Sequence, residues 1–379
     1  DKAKVLGFVT MNGTINSHTA VLARTKGIPA VIGLGESLKE EYDGKTIIID
    51  GYEGKIYIEP DYATLTKMRE RKDANLRHVR NLERLKGKEN ITQSGQRIDI
   101  CANVGTREDI ENVLRSDAGG IGLFRSEFLY MEMGSKLPSE EQLFQVYKLA
   151  AESMGANRVV VRIADFGGDK MVESVDLGEQ ANPAIGLRGI RIMMEKEELF
   201  LPQFRAILRA SALGNVSIMF PMVTSMEEVA AAKALLEKAK KQLKDEKTAY
   251  NENIEIGIMI ETPAAVMISR ELAKRVDFLS LGTNDLSQYT LAMDRQNPLL
   301  RKKYNDHHPA VLRMIQMVIE AGHAENRRVC ICGELAADTA LTEEFLRMGV
   351  DCLSVVPACI LPVRKALRQV DLSGADKGV

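Results

Sequence analysis

No stretch of about 18 uncharged apolar residues occurs in the 379-residue chain, so no segment reads as a membrane span. Charge of one sign is missing too: 51 Lys and Arg stand against 53 Asp and Glu, a net charge of −2. A chain this close to neutrality has no overall field for nucleic acid or an anionic membrane, so any phosphate binding must come from a local arginine cluster. Cysteine is scarce and odd in number, with five residues (Cys101, Cys330, Cys332, Cys352 and Cys359). That argues against a disulfide framework and for a reducing cytoplasm. The chain opens Asp-Lys-Ala-Lys with neither an initiator methionine nor a signal peptide, and reads as a fragment or a processed form. Low-complexity tracts and short repeat periods are absent. What remains is 45% hydrophobic and 27% charged, an ordinary globular balance.

Three zones differ in composition. Residues 1–60 carry short β segments around one helix. KVLGFV is a strand candidate, SHTAVLARTKG a helix capped by Ser17 and stopped near Gly27, and KTIIIDGYEGKIYIEP a hairpin about its DGYEG turn. Residues 61–95 are highly charged with sparse apolar positions, the pattern of a solvated connecting helix. From residue 96 onward eight β-branched runs alternate with amphipathic helices: RIDICAN, GIGLFR, RVVVRIA, VSIMFPM, IEIGIMI, DFLSLGT, RVCICGE and DCLSVVP. That alternation is the pattern of a (β/α)8 barrel.

Chemistry in such a barrel gathers at the C-terminal ends of the strands. Those ends carry Arg125 on the second run, Arg162 on the third, Glu261 on the fifth, Asn284-Asp285 on the sixth and Cys332 on the seventh. Arg188 in NPAIGLRGIR and Arg295 in MDRQNP add two more guanidinium forks, suited to phosphate and carboxylate oxygens. Glu261 and Asp285, one strand apart, are hard oxygen ligands suited to Mg²⁺. The set fits a small, phosphorylated, doubly anionic acid with a divalent metal. Cys332 sits at the strand end as a candidate proton carrier, whereas Cys330, Cys101, Cys352 and Cys359 read as small packing residues. His18, beside Ser17 at the expected helix start, is a candidate neutral nucleophile, because the dipole disfavours its cation there.

The residues quoted resemble the phosphoenolpyruvate (PEP)-utilising enzymes, and among them the Enzyme I group of bacterial phosphotransferase systems. SHTAVLAR resembles the phosphohistidine motif. GIGLFRSEFLYM, NPAIGLRGIR, RAILRASALG, IMIETPAAV, SLGTNDLSQYTLAMDR and CGELAAD resemble the barrel signatures. The resemblance runs from about residue 5 to residue 366. It implies an α/β fold: a (β/α)8 barrel over 96–379, a connecting helix over 61–95, and a shortened swivelling phosphohistidine domain over 1–60. It further implies that His18 is phosphorylated, that Arg125, Arg162, Arg188, Asn284 and Arg295 bind PEP, that Glu261 and Asp285 hold Mg²⁺, and that Cys332 protonates the enolate. The expected activity is PEP–protein phosphotransfer, with pyruvate released and phosphate passed on to the carrier HPr. A homodimer through the barrel is implied as well. The helical domain that docks HPr is expected to be missing, so transfer to HPr by this chain is expected to be poor. The sequence departs from the pattern at Asn12-Gly13, Asn16 and Leu187. Two rivals are a pyruvate phosphate dikinase or PEP synthase, which would need a nucleotide domain, and a barrel module without turnover.

Overall fold

Runs rich in Val and Ile fold as strands here because every barrel strand is covered by helices outside and by side chains within. The structure is a computed structural model that describes residues 5–12, 23, 28–168, 170, 172, 175–297, 299–300 and 302–374. The chain divides into two units, Asp1–Arg84 and Leu85–Val379.

In the first unit, β1 (Phe8–Val9) pairs in parallel with β2 (Ala30–Val31). β3 (Ile47–Asp50) and β4 (Lys55–Ile58) form the expected antiparallel hairpin. Asp50 closes its turn, accepting from the backbone N–H groups of Tyr52 at 3.0 Å and Glu53 at 3.2 Å. The helix Tyr62–Glu83 is capped by Asp61, which accepts from the Thr64 N–H at 2.7 Å, and it buries no side chain. Its charged composition is thus a solvated surface. Arg71 ties this helix to the hairpin through Asp50 at 2.7 Å and Glu53 at 2.8 Å. The stretch read as one linker therefore divides near residue 84. Its later part joins the second unit, where Arg364 donates to the Leu85 carbonyl at 3.0 Å and to Asn90 Oδ1 at 2.7 Å.

The second unit is a closed barrel of eight parallel strands. They are β5 (Asp99–Val104), β6 (Gly120–Arg125), β7 (Arg158–Arg162), β8 (Val216–Phe220), β9 (Ile256–Ile260), β10 (Phe278–Leu281), β11 (Arg328–Ile331) and β12 (Cys352–Val355). Neighbours in sequence are neighbours in space, and β12 pairs with β5 to close the ring. Each falls on one of the eight runs. Capping boxes start three of the helices, from Thr106, Ser139 and Ser225. Strand residues facing outward join the helices in the main core. A second, smaller cluster lies inside the barrel: Leu123, Val160, Met219, Met259, Phe278 and Cys332. Toward the N-terminal end of the barrel the Arg158 guanidinium stacks on the Phe278 ring, 4.1 Å from its centroid. All five cysteines are unbridged, and Cys330 and Cys352 face each other across paired strands with sulfurs 2.9 Å apart. Among the described residues, no helix is long and apolar enough to cross a membrane.

Candidate active site

Side chains alternate along a strand, so residues two apart share a face. Arg162 ends β7, two residues beyond Val160 of the interior cluster. Glu261 and Cys332 follow Met259 and Cys330 in the same way. The polar rim is thus the last layer of the barrel interior, and it surrounds a cavity of about 490 Å³. Arg125, Arg162, Glu261, Asn284, Asp285, Arg295 and Cys332 all line this cavity. Arg188 does not. Only 1% exposed, it lies behind Asp285, with Nη1 3.4 Å from Asp285 Oδ1 and donating to the Tyr289 hydroxyl at 2.8 Å. His18 lies outside the described residues.

Glu261 is fully buried; its Oε1 accepts from the Met222 backbone N–H at 2.7 Å, and its Oε2 has no hydrogen-bond partner. Burial, and then the charges of Asp285 and Asp165, push its carboxyl up to about 8. Asp285 lies in the first turn of the helix Thr283–Leu291, which opens directly after β10. A carboxylate there is favoured by the helix dipole. Among the described residues, no three His, Cys, Asp or Glu side chains gather to cage a metal. An orphaned, buried carboxylate oxygen beside a second carboxylate is nevertheless the donor set that a Mg²⁺ ion takes when substrate and water complete its shell.

Cys332 is 4% exposed; its thiol accepts from Ser280 Oγ at 3.2 Å and contacts the Leu281 carbonyl at 3.4 Å. Burial pushes the thiol up to about 11, so it stays protonated at neutral pH. Its own backbone is pinned by Asn103, whose Nδ2 donates to the carbonyls of Cys332 at 2.9 Å and Ser354 at 3.0 Å. Asn284 is held at the rim by Glu334: its Oδ1 accepts from the Glu334 N–H at 2.7 Å, and its Nδ2 donates to Oε1 at 3.2 Å.

Three residues of this site were not singled out from the sequence: Glu127, Asp165 and Lys170. Arg162 donates through Nη2 to Glu127, which is fully buried. Lys170 Nζ, which reaches the cavity, lies 2.6 Å from Asp165 Oδ2 and 3.6 Å from Glu127 Oε1. Asp165 Oδ2 also accepts from Arg188 at 2.8 Å. Burial alone would raise the Asp165 carboxyl, but Lys170, Arg188 and Arg162 hold it well below the usual carboxylate range. Glu127 follows Arg125 in the quoted RSEF run, and Asp165 and Lys170 frame ADFGGDK. The signal was a carboxylate or lysine within eight residues of a strand-end arginine.

The fold and site together are those of a (β/α)8 barrel whose rim sets guanidinium groups beside paired carboxylates and a thiol. The chain belongs to the PEP-utilising enzymes: residues 79–372 match their PEP-binding domain and residues 1–54 their mobile domain. Among relatives, it is 41% identical over 373 residues to the phosphoenolpyruvate-protein phosphotransferase of Staphylococcus carnosus, covering 98% of this chain and 65% of that one. It is 40% identical over 372 residues to the protein of that name from Haemophilus influenzae, covering 98% and 64%. The corresponding Bacillus subtilis protein is 39% identical over 372 residues, covering 98% and 65%. The chain thus spans a little under two thirds of the length of these relatives.

Proposed function

We propose that this chain is the PEP-converting part of a PEP–protein phosphotransferase: it moves the phosphoryl group of PEP to His18 and releases pyruvate. The observation that carries the reading is the cavity itself. Arg125, Arg162 and Arg295 face the same space as Glu261, Asp285 and Cys332. PEP offers a phosphate and a carboxylate to the arginine forks and an enol carbon to the thiol. Asn284 lines the same space and can donate to either anionic group.

In this reading an imidazole nitrogen of His18 attacks phosphorus while the bond to the enol oxygen breaks. Fixed guanidinium donors neutralise charge as it spreads over the phosphoryl oxygens and the departing enolate, which is where most of the catalysis lies in phosphoryl transfer. Cys332 then gives its proton to the enolate carbon, leaving a thiolate and free pyruvate. Glu261 and Asp285 would hold Mg²⁺, which supplies charge neutralisation to the bound phosphate when present. Arg188 acts from behind, orienting Asp285.

We further assign residues 1–60 to the phosphohistidine domain and 96–379 to the barrel, joined through 61–95. Onward transfer to HPr, assembly as a homodimer through the barrel, and a cytoplasmic location belong to the proposal for the whole protein. The test is single-turnover mixing with PEP and Mg²⁺. Pyruvate should appear in step with a phosphate mass increment on the peptide carrying His18, and His18→Ala should remove both. Pyruvate release without any phosphorylated histidine would defeat the reading.

A further inference from the structure

Asp165 does not line the cavity, yet it is fully buried among the cations that serve it. It lies three residues beyond Arg162, in the segment that leaves β7. One of its oxygens, Oδ2, meets three cations at once: Lys170 Nζ at 2.6 Å, Arg188 Nη2 at 2.8 Å and Arg162 Nη2 at 3.9 Å. Each cation has a second attachment that points onward. Lys170 reaches the cavity and Glu127. Arg162 reaches the cavity, Glu127 and the Met259 sulfur, the last at 3.4 Å. Arg188 reaches Asp285 and Tyr289. Tyr289 in turn donates to the Ala184 carbonyl. Among the described residues, Asp165 is the one group common to all three cations.

We infer that Asp165 is a positioning residue: an internal counter-ion that fixes the directions of Lys170, Arg162 and Arg188 before an anionic substrate arrives. Lys170 and Arg162 at the pocket, and Arg188 behind it, would otherwise splay apart or swing toward whatever anion entered. Held by a shared carboxylate, they offer their remaining donors along set directions. A substrate phosphate then meets the guanidinium groups where the transition state needs them, rather than where the ground state would pull them. Asp165 touches no reacting atom in this scheme. Removing its charge should therefore spare binding, since the cations remain, and slow the chemical step, since their geometry is no longer fixed. A merely structural role would weaken both together.

The inference rests on the proposed reading of the site as one for PEP, and the test separates the two. Asp165→Asn keeps the shape and loses the charge. It is compared with the parent chain for PEP affinity by calorimetry with Mg²⁺ present, and for pyruvate release in a single turnover. The expected outcome is a rate about 10²-fold lower with an affinity unchanged to within about threefold, the split that marks a lost transition-state interaction. An unchanged rate beside an active parent would overturn the inference and leave the reading of the site standing. Parallel loss of rate and affinity would overturn it as well, because that is the mark of a collapsed pocket. A parent that neither binds nor turns over PEP would remove the reading of the site and this inference with it. If Asp165→Asn does not fold, Arg188→Lys stands in. It keeps the charge but loses the two-pronged link to Asp165 and Tyr289, and it should show the same split; parent-like turnover in that variant would overturn the inference.

Discussion

Met222 donates its backbone N–H to Glu261 Oε1 at 2.7 Å, and by doing so fixes which oxygen of that carboxylate is left over. Met222 adopts a left-handed backbone, φ 57°, an uncommon state for a residue with a side chain, directly past the end of β8. The turn aims an amide at Glu261 across the barrel top. The other oxygen, Oε2, is buried without a partner.

That leftover oxygen predicts metal dependence. Without a cation, the Asp285 carboxylate would oppose an anionic substrate by about 4 kcal/mol at roughly 4 Å and an effective dielectric near 20, and Glu261, pushed up to about 8 by burial, would hold a proton that a bound cation displaces. PEP affinity measured by calorimetry should fall steeply when Mg²⁺ is chelated. Glu261→Gln, which keeps the Met222 contact and loses the charge, should abolish that dependence. Equal affinity with and without chelator in the parent chain would defeat the assignment of these two carboxylates.

Gly282 sets the room available to the same group. A Cβ at this position would lie 2.7 Å from Glu261 Oε2 and 2.9 Å from its Cβ. Gly282→Ala should therefore turn the carboxylate aside and weaken Mg²⁺-dependent PEP binding by at least about tenfold. Thermal stability should fall far less than affinity. A variant that binds PEP as the parent does would show that Glu261 has slack here.

Cys332→Ser tests the proton donor. An alcohol is a far weaker acid than a thiol, and positioned proton transfer is worth about 10²–10⁴ in rate. Pyruvate formation should slow by a factor in that range while PEP affinity holds. Cys330→Ser, one layer deeper in the same strand, is the control and should turn over nearly as the parent. The reverse pattern would mean that the wrong thiol has been chosen.

The same thiol should also be slow to alkylate. Burial pushes Cys332 up to about 11, and the thiolate is the reactive form. Because the group's acid form persists to that pH, its iodoacetamide rate, followed by peptide mass spectrometry, should keep rising between pH 7 and pH 10 without levelling. A plateau near pH 8 would show that the thiol is far more acidic than its surroundings imply.

Strand runs such as RVVVRIA and VSIMFPM could be read directly, because a strand buried on both faces must be apolar at nearly every position. The polar residues at or just past the ends of several runs were equally visible, and so Arg125, Arg162, Glu261, Asp285 and Cys332 could be named from the sequence. Asp165 and Glu127 could not. An aspartate in ADFGGD has the composition of a turn, and only the fold shows that it is buried against Arg188, a residue 23 positions away. Arg188 was read as a rim donor for the same reason in reverse: sequence gives the type of a side chain and not its direction. The charged stretch 61–95 is a related case: its charge marked the helix Tyr62–Glu83 as solvated but could not say that the residues after it, from Leu85, belong with the barrel unit.

The stacked pair at the other end of the barrel has a bearing on traffic. Arg158 lies over Phe278, and Val160, Met219 and Met259 fill the space between that pair and the rim. Among the described residues, the cavity is therefore closed toward that end of the barrel. What enters from the rim must leave toward the rim. Pyruvate and PEP should accordingly exclude each other as competitors for a single berth, and an undeparted product would hold the door shut against the next substrate.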